Sequence, residues 1–220
     1  MKTSLLLLII IAILVIVIGI VSFVISYKQN IYAGGAINVN LSKVLNTVPK
    51  NVFINYSNDS IYINKSVTIY VGMVDNITND SINHIYETPQ LKGLLQEFYM
   101  AGLPAFTIYG LVNPTIIIKK GVEVTFDAFD LSDYTYHGLM IVNNSLHPPY
   151  NAESLISAFN GVSNLSKDVI ATGLILPPPI KGNVYEESVN FYANNTGTYW
   201  YVCPVPGHAE LGMYGKIIVI

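Results

Sequence analysis

Short runs that alternate apolar with polar side chains, each bounded by Asn, Gly, Pro or Ser, recur from residue 36 to residue 220 and set the strongest limit on the fold. In Val122-Glu123-Val124-Thr125-Phe126 the alternation is strict, so Val122, Val124 and Phe126 share one face and Glu123 and Thr125 the other. A period of two residues, filled by β-branched and aromatic side chains, suits a pleated strand with one buried face. The same reading predicts strands at Ala36 to Val39, Val52 to Asn55, Val67 to Val74, Phe106 to Tyr109, Thr115 to Ile118, Val122 to Phe126, Tyr136 to Val142, Glu187 to Tyr192, Gly197 to Val202 and Gly215 to Ile220. It also puts Tyr199, Tyr201 and Cys203 on one side. The fold class expected is all-β, a two-sheet sandwich or Greek-key barrel.

Short helical insertions interrupt this pattern. Thr88 is a capping residue and Pro89 suits a first helical position. Leu91, Leu94, Leu95 and Phe98 then recur near the helical period, predicting a helix from about Pro89 to Met100. Asn151 caps a shorter candidate through Leu155, Ile156 and Phe159. The stretch from Tyr150 to Lys181, with Pro177-Pro178-Pro179, is the least regular and is expected outside the sheets.

The amino-terminal segment is of another kind. From Leu5 to Val21 every residue is apolar or Gly, and with Ser22 to Tyr27 the run reaches the roughly 20 residues that cross a bilayer core. A secretory signal has a shorter apolar region of about 7 to 15 residues ending at its cleavage site. The small residues Ala33-Gly34-Gly35-Ala36 lie beyond the run, so residues 4–27 read as an uncleaved transmembrane helix. The expected organisation is an anchor at 1–28, a linker at 29–36 and one domain at 37–220. Lys2 faces Lys28 across the segment, so the positive-inside bias does not orient it.

Asn-x-Ser/Thr triplets start at Asn40, Asn55, Asn58, Asn64, Asn76, Asn79, Asn143, Asn164 and Asn194, all after the anchor. Chance accounts for part of that number in an Asn- and Ser-rich chain, yet the distribution points to an extracellular, glycosylated domain on a cell membrane. The basic residues are all lysines, so bidentate recognition of phosphate is missing and no nucleic-acid partner is expected. Unperturbed carboxylates neutralise near pH 4. A surface solvated mainly by Asn, Ser, Thr and Tyr therefore suits an acidic exterior. One Cys in the chain leaves no internal disulfide and a thiol available to a metal.

That thiol opens the run Cys203-Pro-Val-Pro-Gly-His208-Ala-Glu-Leu-Gly-Met213, where four residues separate Cys203 from His208 and four separate His208 from Met213. A lone Cys is ordinarily a small buried hydrophobe. Here Pro206-Gly207 can turn the chain so that thiolate, imidazole and thioether converge. Copper(I) favours sulfur and copper(II) nitrogen, so two His and one Cys with a weak axial Met is the compromise for electron transfer. The second imidazole must come from upstream. His137, in the apolar run Tyr136 to Val142, is the best candidate, with His147 the alternative and His84 a surface residue. Met73, Met100 and Met140 read as core side chains.

The run from Thr198 to Ile217 resembles the C-terminal copper loop of the cupredoxins, most closely the sulfocyanins, membrane-anchored blue copper proteins of acidophilic archaea, with rusticyanin-like proteins the near neighbours. The match covers about twenty-five residues, is loose from Thr115 to Val142, and is by residue type alone over residues 37 to 110. The resemblance implies a cupredoxin β-sandwich. It implies one copper held by His137, Cys203 and His208 with Met213 axial, and one-electron transfer in a respiratory chain to a redox partner such as a terminal oxidase or cytochrome complex. In one respect the chain departs from the family. Many cupredoxins follow the first ligand His with an Asn that ties the ligand strand to the loop, whereas Gly138 follows His137 here and Pro204 follows Cys203. The backbone N–H groups of Gly138 and Val205 are then expected to reach the Cys203 sulfur.

Four ligands leave no open position for a small-molecule substrate, so an electron carrier rather than an enzyme is expected. Pro204, Val205, Pro206, Ala209 and Leu211 are expected to form an apolar docking patch around His208. A dinuclear copper subunit needs a second loop Cys and a multicopper oxidase several His-x-His pairs; the chain has neither. A copper-buffering protein would carry exposed Met- or His-rich sequence, which is also missing. A metal-free surface domain is opposed only by the ligand quartet.

Overall fold

The computed structural model describes residues 35–37, 41–74, 103–132, 135–151, 155, 158, 166–180 and 183–220, all within the compact unit Gly34–Ile220. Among the described residues, thirteen strands form two facing sheets. They are β1 (Gly35–Ile37), β2 (Val52–Asn55), β3 (Ser60–Ile63), β4 (Val67–Val74), β5 (Ala105–Ile108), β6 (Leu111–Val112), β7 (Thr115–Ile118), β8 (Glu123–Asp130), β9 (Met140–Asn143), β10 (Val169–Thr172), β11 (Val184–Tyr192), β12 (Gly197–Val202) and β13 (Tyr214–Val219). One sheet runs β1-β11-β8-β4-β5-β6, the other β10-β9-β12-β13-β7-β3-β2. Most pairs are antiparallel, while β4 with β8, β13 with β7 and β3 with β7 are parallel. Among the described residues, the one helix described along its length is short, α1 (Leu41–Asn46), and helices contribute little there.

The two inner faces meet in one apolar core. Val122, Val124, Phe126 and Ala128 point into it from the first sheet, as their alternation requires, while Glu123 and Thr125 lie half-exposed. Val189 and Phe191 join them from β11, and Ile61, Ile63, Ile116, Ile118, Tyr201, Cys203 and Ile217 come from the second sheet. Burying each such aliphatic or aromatic side chain stabilises the fold by about 1.5–3 kcal/mol. At the centre of the second sheet Tyr201 is fully buried. Its hydroxyl donates to the Pro114 carbonyl at 2.6 Å, and its ring meets Phe106 edge-on at 5.3 Å. The ring lies directly over Gly215, where an added Cβ would fall 2.1 Å from the Tyr201 hydroxyl and ring carbon.

Strands β2, β4, β7 and β12 match the sequence expectation at both ends. Strands β3, β6 and β10 were not expected. Val169–Thr172 corrects the view that residues 150 to 181 lie outside the sheets: it pairs antiparallel with β9 as an edge strand. It is too short and too half-exposed to show a period. His137 is not inside a strand, because β9 begins at Met140 and His137 makes an isolated bridge with Leu176. The predicted helix from Pro89 to Met100 lies outside the described residues. So does the candidate after Asn151, apart from Leu155 and Ala158, which are buried. Residues 4–27 are outside them too, and among the described residues no helix is long and apolar enough to cross a membrane.

Replacing Gly215 by Ala forces a methyl group into the Tyr201 ring. The expected loss is about 1–3 kcal/mol in urea unfolding of the metal-free protein; a midpoint indistinguishable from wild type would show that the ring yields freely.

Candidate metal centre

Two strand pairings bring the ligating side chains together. Strands β12 and β13 are antiparallel neighbours, so the eleven-residue connection from Cys203 to Met213 starts and ends at the same edge of the sheet. It is closed by the Cys203 N–H donating to the Met213 carbonyl at 3.1 Å. Within it the His208 N–H donates to Val205 at 3.2 Å and the Met213 N–H to His208 at 3.0 Å. Gly207 and Gly212 take positive φ values of 87° and 105°, which L side chains rarely adopt, so both turns require glycine. On the other side of β12, Val202 pairs with Met140 of β9, which lays the segment leading to β9 beside Cys203.

His137, Cys203 and His208 converge there, and among the described residues they are the one cluster of this type. Cys203 Sγ lies 3.9 Å from His137 Nδ1 and 3.5 Å from His208 Nδ1, and the two Nδ1 atoms are 3.2 Å apart. His137, Cys203 and Met213 are fully buried, while His208 is half-buried. On the far side of the His137 ring, Nε2 is 3.2 Å from Thr135 Oγ1. A proton on Nε2, donated to that hydroxyl, leaves the Nδ1 lone pair facing Cys203 and His208.

The other candidates stay apart. His147 is exposed, its Nδ1 2.7 Å from the Pro148 carbonyl, and is not part of the cluster. His84 and Met100 lie outside the described residues; Met73 and Met140 are buried core side chains, as expected. The apolar rim is smaller than the sequence implied. Pro204 and Ala209 turn inward and are buried, leaving Val205, Pro206 and Leu211 beside His208.

Cys203 accepts hydrogen bonds from the backbone N–H groups of Gly138 and Val205, as expected from the sequence. Gly138 has the room to do so because it lacks a side chain: a Cβ there would sit 3.2 Å from Pro204 Cγ and 3.1 Å from the Leu174 carbonyl. No Asn follows His137, and the loop is tied from elsewhere. Asn113 Nδ2 donates to the Gly212 carbonyl at 3.0 Å, while its Oδ1 accepts the Phe106 N–H at 2.9 Å.

Sequence reasoning missed two buried carboxylates. Asp130 is fully buried, and its Oδ2 accepts the His137 N–H at 3.1 Å while Ser132 N donates to Oδ1 at 3.0 Å. Glu187 accepts the Leu139 N–H at 3.0 Å through Oε1. A signal was present. Asp130 shares the parity of Val122, Val124, Phe126 and Ala128, and Glu187 that of Val189 and Phe191, which makes both inward-facing.

Burial favours the neutral forms of Cys203, His137 and Glu187. It pushes the Cys203 thiol up to about 12, against the two backbone N–H groups and helped by Asp130 and Glu187. It pushes His137 down to about 3, with His208 adding to the shift, and Glu187 up to about 8. A thiol so placed is inert until a cation displaces its proton. A soft thiolate and two imidazole lone pairs around one point are donors suited to copper, so the residues present fit the ion.

The chain is similar to known proteins in the same region. A family model described as the sulfocyanin (SoxE) domain matches residues 107–220. Rusticyanin of Acidithiobacillus ferridurans is 31% identical over 116 residues, covering 53% of this chain and 55% of the relative. Rusticyanin of Acidithiobacillus ferrooxidans is 30% identical over 116 residues. The chain thus spans about half the length of these curated relatives. A solved rusticyanin from Thiobacillus ferrooxidans superposes with a TM-score of 0.50 and 24% identity over 82% of this chain and 89% of that one. Reduced rusticyanin gives 0.52 and 22%, over 78% and 91%. These superpositions show a shared fold.

The shifted groups set the pH dependence of the metal-free protein. Glu187 binds its proton more tightly folded than unfolded, so its contribution to stability is full below the usual 4.5 for a carboxyl and is lost progressively as pH rises from there to about 8. His137 does the opposite: its buried neutral form costs stability as pH falls from 6.5 towards 3. The two offset each other between 4.5 and 6.5. Thermal unfolding of metal-free protein is therefore expected to show a plateau in that range, with loss on both sides. Monotonic stability from pH 3 to 9 would contradict the burial of both groups.

Proposed function

Because the chain belongs to the sulfocyanin family of blue copper cupredoxins, we propose that it is a one-electron carrier that passes electrons along a membrane respiratory chain to a terminal oxidase. One observation carries the reading: His137, Cys203 and His208 meet at a buried point at the end of the sandwich, next to a fully buried Met213. Copper bound there supplies a Cu(I)/Cu(II) couple that takes up and releases one electron.

The protein's own groups make that useful. His137, Cys203 and His208 would hold the copper as strong ligands, with Met213 a weaker fourth. Rigid strands on both sides of the loop hold these side chains in place in both oxidation states. Burial of Cys203 and Met213 excludes water and leaves no position for a substrate, which favours electron transfer over catalysis. His208 is the half-buried ligand, so electrons enter and leave at its edge, where exposed Pro206 and Leu211 offer a small apolar contact. Such a contact suits a brief encounter with a redox protein.

Location belongs to the same proposal. Residues 4–27 anchor the chain as a transmembrane helix, residues 29–36 link it, and residues 37–220 form the cupredoxin domain outside the cell. Of the triplet asparagines that are described, Asn55, Asn58 and Asn194 are exposed and Asn64 and Asn143 half-buried, which suits glycosylation.

Copper-loaded protein is expected to show an intense visible thiolate-to-copper band and a copper(II) paramagnetic resonance signal, both lost on reduction and in Cys203→Ser. Folded, copper-loaded protein without the band would end the electron-carrier reading. Val205→Pro removes one N–H donor to the Cys203 sulfur and is expected to lower the reduction potential; an unchanged potential would exclude that hydrogen bond from tuning the site.

A further inference from the structure

The three consecutive amides of the ligand segment each donate to a different buried acceptor. His137 N–H goes to Asp130 Oδ2 at 3.1 Å, Gly138 N–H to the Cys203 sulfur, and Leu139 N–H to Glu187 Oε1 at 3.0 Å. Two carboxyl groups from the first sheet thus hold the amides on either side of Gly138, the member of this segment that reaches the thiol. Both stand on neighbouring strands, β8 and β11, where Asp130 is paired with Tyr185 and Glu187 with Ala128. The segment they hold leads into β9 of the opposite sheet.

Glu187 has been given a place made for it. Gly173 lies against its carboxyl so closely that a Cβ there would fall 1.9 Å from Oε2. The Gly173 N–H in turn donates to the Leu139 carbonyl at 3.0 Å. Glu187 and Gly173 therefore grip the two polar groups of the same residue, Leu139. Oε2 has no hydrogen-bond partner in the structure, and the Leu174 N–H lowers the carboxyl's affinity for a proton. Such a buried carboxyl is costly unless its position serves something.

We propose that Glu187 is a positioning residue for the copper centre: by clamping Leu139, it aims the Gly138 N–H at the Cys203 sulfur and so does the task that an Asn after the ligand His does elsewhere. The inference rests on the copper-site reading above. A hydrogen bond to the thiolate withdraws electron density from sulfur, which favours the reduced ion and raises the potential. Without the clamp, the Gly138 amide can turn away from sulfur while the four ligating side chains remain.

Four full-length proteins test this at pH 5: wild type, Glu187→Leu, Glu187→Gln and Gly173→Ala. At that pH the carboxyl is neutral, its affinity for a proton having been pushed up to about 8, so the substitutions change geometry rather than charge. Glu187→Leu removes the acceptor. Gly173→Ala leaves Glu187 intact but displaces it, and Glu187→Gln retains an oxygen for the Leu139 N–H. In metal-free protein, amide exchange of Gly138 and Leu139 is expected to accelerate in the Leu and Ala variants and to stay near wild type in the Gln variant. In copper-loaded protein the Leu and Ala variants are expected to show a lower potential and a shifted visible band, with copper still bound one to one and the Gln variant close to wild type. Unchanged potential and exchange in Gly173→Ala and in folded Glu187→Leu would overturn the proposal. Failure of wild type itself to show the band would instead overturn the copper-carrier reading, a separate outcome.

Discussion

Pairing of β9 with β12 is the contact on which the centre depends. It sets Met140 opposite Val202 and so brings the segment before β9 alongside the end of β12. A register shift of one residue would turn Cys203 from the core to the other face, since side chains alternate along a strand. The register is fixed by apolar residues on both faces of this sheet. Tyr201 packs inward against Phe106, and Val202 and Met140 belong to a separate cluster on the outer face with Tyr150, Leu155 and Ala209. Packing on both faces therefore holds the strand that ends at the thiol.

The site built on that pairing is polar yet desolvated. Burial favours the neutral form of three of its groups. Cys203 is kept protonated and His137 deprotonated, while Glu187 takes up its proton more readily. Before a cation arrives, the centre thus needs little compensation for buried charge. Its hydrogen-bond donors and acceptors are matched instead by backbone: amides of residues 137 to 139 on one side, Val205 on the other. The thiolate of Cys203 and the imidazoles of His137 and His208 would hold the copper with little rearrangement of side chains. Apolar packing immediately behind the ligands limits how far they can shift with oxidation state.

Much of this was legible in the chain. Strict alternation placed Val122, Val124 and Phe126 in the core, and equal spacing around His208 marked the loop residues that the fold gathers. The apolar setting of His137 favours it over His147, and the structure places it in the cluster. Elsewhere local pattern failed. Val169–Thr172 is a strand because β9 offers it an edge, not because its four residues alternate. His137 sits just outside a strand, where its N–H is shared between Asp130 and the Leu176 carbonyl rather than a regular ladder. Asp130 and Glu187 had the parity of inward-facing residues, but charge argued for the surface.

The sequence by itself determined the chemistry, because donor types and their spacing within one loop are local properties that hardly depend on what surrounds them. It determined the strands with a strong period for the same reason. Only the tertiary structure decided what lies behind the ligands: which carboxyls face inward, that Gly138 can approach Pro204, and that Gly173 makes room for Glu187. The site's contacts join distant residues, Leu139 with Glu187 48 positions apart and His137 with His208 71. They arise when two sheets close on a shared core, and no local pattern encodes that closure.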